Sequence, residues 1–227
     1  MNQIAENLWT LHYKLPLLGE YLGRNVTIIR LSSGDLVIHS TGPFTPEDVA
    51  AIKALGRPAY LVEAYSAHDT FAKEGREAFP DIPYLAPEGF AEAAEVTAET
   101  LHLAPEAWAG ELDALELAGK PKAREFVFCH RPSRTLIVAD LVFNVEDDAP
   151  TGAKVASVLA VGLHHNPGVP RPEKSSVEDM DAFTGSLDTM MGWDFDRVIT
   201  GHGEVIETGG KARLQEAFKV AGFYEVE

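Results

Sequence analysis

Cysteine is almost missing from this chain. Cys129 is the only one in 227 residues, which excludes an internal disulfide and gives no sign of an oxidising compartment. Long apolar runs are missing too; stretches such as residues 155–161 are far too short to cross a bilayer. Residues 1–7 carry neither a basic region nor an apolar core, so a secretory signal is not expected and the chain reads as cytoplasmic. Positive charge is scarce: 19 Lys and Arg against 35 Asp and Glu leave a formal charge of -16. An acidic surface repels polyanions, which argues against nucleic acid and anionic membranes as partners. A small neutral or cationic molecule is easier to accommodate. No Pro/Gly/Ser-rich linker divides the sequence, so residues 1–227 are expected to form one domain.

What is present is a change of rhythm along the chain. Residues 8–13, 25–31 and 36–39 have the β-branched and apolar content of strands, and Ser33-Gly34-Asp35 supplies a hairpin turn between the last two. Thr45 followed by Pro46, Glu47 and Asp48 opens a helix: Thr caps, Pro suits the first helical position and the acids complement the dipole, with Gly56 as the stop. Short strands over 60–62 and 83–85 then alternate with a helix over 69–79. A stretch over 87–110 is helical or irregular, and a strand over 112–117 leads into a hairpin. A helix over 154–163, a capping box at 176–179 opening a helix to 191, a strand over 196–199 and a helix over 210–221 complete the pattern. Meander, alternation, hairpin and alternation again fit a layered α/β fold with helices outside the sheets.

The chemistry collects at strand ends. Residues 125–129 and 135–139 are strands around the turn formers Arg131-Pro132-Ser133-Arg134; one run ends on His130 and the other on Asp140. These two polar groups are expected to emerge together from apolar surroundings, where each needs a partner. Residues 197–199 run into Gly201-His202-Gly203, whose glycines allow a sharp bend. Residues 60–62 run toward His68 and Asp69.

This combination resembles the metallo-β-lactamase superfamily. The resemblance is carried by His68-Asp69 after a strand, by the hairpin with His130, by Ile137-Val138-Ala139-Asp140 and by Val198-Ile199-Thr200-Gly201-His202-Gly203-Glu204. It implies a four-layer αββα sandwich with metal ligands on loops at one edge. A closer likeness, through Gly34-Asp35-Leu36, Ala67-His68 and Phe128-Cys129-His130-Arg131-Pro132, is to a poorly characterised branch of that superfamily. The superfamily motif His-x-His-x-Asp-His feeds two metals. With His68 as its last residue, the earlier positions here hold Glu63, Tyr65 and Ala67, so a dinuclear centre is not expected. What the correspondence leaves is His68, His130, Asp140 and His202. Three imidazoles and a carboxylate suit one Zn²⁺; if only three of the four bind, the site is open for hydrolysis. Two His with a carboxylate also suit ferrous iron.

Asp69 has two readings, second ligand or general base against N-cap of the next helix, and the cap is favoured. His12, His39 and His102 read as ordinary hydrogen-bonded residues. His164 and His165 lie in a proline-rich loop that either overhangs the site or is a solvated turn. Cys129 reads as a small buried hydrophobe, and Glu63 and Tyr65 have no role derivable from sequence. The leading expectation is a mononuclear metal-dependent hydrolase of a small neutral or cationic ester, lactone or amide. Against it stand a non-catalytic protein that uses the same pocket for binding, with no metal, and an iron oxygenase built on His68, His130 and Asp140.

Overall fold

The computed structural model describes residues 1–15, 19–145, 162, 163 and 165–224. The loop expected at 147–152 and His164 lie outside them, as does the helix expected from 154, apart from its last two positions.

The opening strands β1 (Asn2–Ala5), β2 (Leu8–Leu15), β3 (Gly19–Arg30) and β4 (Asp35–His39) pair antiparallel in sequence order. The chain then crosses over through helix α1 (Pro46–Leu55), and β5 (Arg57–Val62), β6 (Tyr84–Ala86) and β7 (Glu99–Thr100) add in parallel. Helices α2 (Ala72–Ala78) and α3 (Phe90–Ala94) make the later crossovers of this seven-stranded sheet. The second sheet has four strands in the order β11-β10-β9-β8. Its members are β8 (Leu112–Glu116), β9 (Phe126–His130), β10 (Thr135–Ile137) and β11 (Arg197–Ile199), of which only β10 and β11 run parallel. Between and after them come α4 (Arg171–Ser175), α5 (Met180–Met191) and α6 (Gly210–Ala221).

Side chains alternate across a strand, and that period sorts the apolar residues into three cores. Leu8, Ile29 and Val37 of the first sheet meet Phe126, Phe128 and Ile137 of the second. Trp9, Val26, Ile28, Leu36 and Ile38, one step out of phase, pack under Ile52 of α1, Ala72 of α2 and Phe90 of α3. Val127, Cys129, Leu136 and Val138 turn the other way onto Phe183 and Leu187 of α5 and Leu214 and Phe218 of α6. Three cores separate four layers, so the fold is the αββα sandwich that the sequence led us to expect. Among the described residues no helix is long and apolar enough to cross a membrane.

Local signals account for several boundaries. Thr45 caps α1 by accepting from the Asp48 amide while the Asp48 carboxylate accepts from the Thr45 amide. The capping box expected at 176–179 is not formed as such: Ser176 closes α4, and Asp179 is the residue that caps α5, accepting from the Ala182 amide. Asp69 does not cap α2 either; Phe71 holds that place, with no side-chain cap.

Candidate metal centre

Parallel strands in a sheet of this kind bring their C-terminal ends to one edge, the usual place for a site. Here β4, β5, β10 and β11 end together, followed by Ser40 and Thr41, by Glu63 to His68, by Asp140 and by His202.

Two glycines let the last loop approach. A Cβ on Gly201 would stand 2.6 Å from the Ala139 carbonyl oxygen, and Gly203 adopts φ +85°, where its added Cβ would run into the Asn144 backbone. Asn25 fastens the loop from β3, donating from Nδ2 to the Thr200 and Gly203 carbonyls at 2.8 and 2.7 Å.

The structure brings His68, Asp140 and His202 together, with one ligand atom of each within 4.8 Å of the others. Nε2 of His68 lies 2.9 Å and Nε2 of His202 3.0 Å from Asp140 Oδ1. Both imidazoles are held from behind: His68 Nδ1 faces Glu63 Oε1 at 3.2 Å, and His202 Nδ1 faces the Gly23 carbonyl oxygen at 3.0 Å. A carboxylate and a carbonyl can only accept, so each Nδ1 carries the hydrogen. In the neutral tautomer both Nε2 atoms then present lone pairs to a carboxylate oxygen. Three acceptors facing one another are stable only around positive charge, as protons or as a metal ion. Imidazoles whose other nitrogen is tied to a carboxylate or carbonyl are the usual form of metal-binding histidine. The donor set present fits a divalent cation.

Electrostatics follow the same lines. Burial opposes charging of His68, as does the Arg24 guanidinium, yet Asp140 and Glu63 prevail and raise its pKa. Burial dominates at His202 and lowers its pKa despite Asp140. Burial also works against the Asp140 carboxylate, but the two imidazoles hold its pKa well below the usual range.

Behind His68 is a buried polar cluster. Glu63 has a side chain with no exposure and accepts from Ser40 Oγ and Thr41 Oγ1 at 3.0 Å each. Arg24 donates to Ser40 Oγ at 3.0 Å and stands 3.9 Å from Glu63. The Tyr65 ring is edge-on to His68 at 5.3 Å and the Phe143 ring is tilted against His202 at 4.6 Å. The Asp140 side chain keeps 23% of its surface, against 4% for either imidazole.

His130 is not part of this group. In the antiparallel hairpin it stands opposite Thr135, the first residue of β10, whereas Asp140 comes after the last, so the two lie beyond opposite ends of that strand. The runs end at opposite edges because the second strand travels back. His130 instead bonds through Nδ1 to Ser133 Oγ at 2.7 Å. Asp69 is exposed and lines a surface groove with Lys73, Glu74 and Glu95. His12 is hydrogen-bonded to Asn25, as expected of an ordinary residue, whereas His39 is buried with no hydrogen bond to either nitrogen. His165 donates to the Pro167 carbonyl within its own turn. Arg24 and Glu125 were not singled out from the sequence. The available signal was a charged residue just before an apolar run: Arg24, inside β3, before residues 25–31, and Glu125 before β9.

No protein-family model matches the chain, and no curated protein is similar to it in sequence. Solved structures are similar in fold. A metallo-β-lactamase from Erythrobacter litoralis, with β-mercaptoethanol in its active site, superposes with TM-score 0.67 at 13% identity over 98% of this chain and 96% of that one. The metallo-β-lactamase DIM-1 gives 0.65 at 15% identity over 97% and 95%. FIM-1 from Pseudomonas aeruginosa, in its mono-zinc form, gives 0.62 at 13% over 97% and 95%. The architecture, matched over nearly the whole length, defines a metallo-β-lactamase fold.

Proposed function

We propose that the chain is a mononuclear metal-dependent hydrolase that takes one divalent ion, zinc in preference to iron, on His68, Asp140 and His202. The observation that carries this is the convergence of two imidazole Nε2 atoms, each with its Nδ1 already committed, on one oxygen of a carboxylate. A divalent ion on this set supplies Lewis acidity and lowers the pKa of water at neutral pH. Three protein ligands leave a position open, the hallmark of a catalytic rather than a structural zinc site.

The chain's own residues do the rest. Glu63 and the Gly23 carbonyl fix the two imidazole planes, and Asp140, the most accessible ligand, faces the approach. Tyr65 and Phe143 pack their rings against the two imidazoles and shield them from water. The formal charge of -16 supports a neutral or cationic ester, lactone or amide over a polyanion, and argues against nucleic acid or anionic membranes as partners. The oxygenase reading that used His130 loses that ligand, although two histidines and a carboxylate still suit ferrous iron.

The test is metal analysis of protein purified after growth with zinc and iron, followed by a panel of small esters, lactones and amides. Stoichiometric metal with metal-dependent turnover supports the hydrolase. Stoichiometric metal without turnover reduces the proposal to a binding protein, and absence of metal overturns it.

A further inference from the structure

Across the molecule, one buried charge cluster outside the metal centre touches it through the backbone. Glu125 immediately precedes β9, and its side chain has no exposure. Its Oε1 accepts three consecutive amides, those of Ala139, Asp140 and Leu141, each at 3.1 Å. Its Oε2 accepts from Lys120 Nζ at 3.1 Å. Lys120 is equally buried, packs its ammonium over the Tyr65 ring at 5.4 Å, and also donates to Glu173 of α4.

The same stretch of backbone braces the loop that carries His68. The Phe126 amide donates to the Ala64 carbonyl at 2.8 Å and the Ser66 amide to the Arg124 carbonyl at 2.9 Å. Tyr65 and Glu125 form a bridge between the two segments. Residue 125 therefore stands where the His68 loop and the Asp140 loop are joined, one by main chain and the other by side chain.

A carboxylate that accepts several backbone amides makes strong, charge-assisted bonds and fixes the turn that supplies them. Burying such a charge is tolerable only with a partner, and Lys120 is that partner. We propose that Glu125 is a positioning residue for the metal centre: by gathering the amides of 139–141 while its strand braces 64–66, it sets where Asp140 meets His68. This rests on the metal reading above. It adds that the geometry of the centre depends on a carboxylate that does not itself reach the ion.

Glu125→Gln removes the charge and keeps an acceptor oxygen, and Glu173 remains as a partner for the buried Lys120 ammonium, so the single variant is the informative protein. Zn²⁺ affinity is measured by competition titration of the whole chain, and amide exchange is followed in the metal-free protein. Positioning predicts a folded Glu125→Gln variant whose Zn²⁺ affinity falls about 10- to 100-fold, the usual cost of losing an outer partner. It also predicts faster exchange confined to the amides of residues 139–141, with Ile52 in α1 unchanged. Unchanged affinity with unchanged exchange overturns the proposal, as does exchange accelerated equally everywhere, the mark of a general loss of stability. If the wild-type chain binds no Zn²⁺, the functional reading fails, and local exchange at 139–141 still decides the role of Glu125.

Discussion

Glu63 Oε1 stands 3.2 Å from His68 Nδ1 with both of its oxygens occupied by buried donors. The carboxylate thus orients the imidazole and raises the basicity of its far nitrogen. Glu63→Gln, which keeps the volume and removes the charge, is expected to weaken metal binding about 10- to 100-fold. Zn²⁺ titration of the purified variant checks this, and affinity within twofold of wild type would remove Glu63 from the account.

Gly203 adopts φ +85° with the Asn144 backbone against the place a Cβ would take. Gly203→Ala must move the His202 loop, at a cost of about 1–3 kcal/mol for the strained backbone alone. A lowered Tm together with weakened Zn²⁺ binding is the expected outcome. A variant that melts and binds like wild type would show that the loop has slack.

Burial, and then the neighbouring Glu125 charge, push the Glu173 carboxyl up to about 8 from an ordinary 4.5, against the pull of Lys120. The sign is that of an acid with a raised folded pKa. Between these values the folded chain holds a proton that the unfolded chain has released, so this contribution is full below about pH 4.5 and is lost as pH rises through 8. Glu173→Gln should remove that slope. Urea unfolding of both proteins at pH 5 and pH 8.5 is expected to show the variant gaining on wild type at the higher pH by at least about 1 kcal/mol, since one pKa unit corresponds to that order. A difference independent of pH would contradict the assignment.

His130 lies at the far edge of the second sheet, opposite Thr135 and bonded to Ser133. His130→Ala should leave metal content unchanged, whereas His68→Ala and His202→Ala each should reduce it below stoichiometry. Metal loss from the His130 variant in a protein of unchanged stability would reverse this.

Elements whose signals are local were legible in the sequence. The box at Thr45, Pro46 and Asp48 marks the start of α1, and α6 spans the predicted 210–221. The polar edge strand β1 escaped notice because Asn2-Gln3-Ile4-Ala5 carries no alternating apolar face. For the site, His202 was legible from its flanking glycines and Asp140 from its strand. The grouping of His130 with Asp140 failed on direction, because period-two reasoning gives the face of a residue and leaves the end of the sheet to the hairpin. Arg24 and Glu125 have roles set by partners distant in sequence, such as Glu125 with the amides of 139–141, and no spacing rule encodes those; Glu63 lies five residues before His68, but its place also depends on the distant Ser40 and Thr41.

Everything proposed for the site requires one ion on His68, Asp140 and His202. An anomalous difference map from a crystal grown with Zn²⁺ tests it most directly. A single strong peak is expected about 2.0–2.2 Å from His68 Nε2, His202 Nε2 and an Asp140 oxygen, the ordinary zinc distances. A map with no peak there, or with the ion on His130 instead, would contradict it.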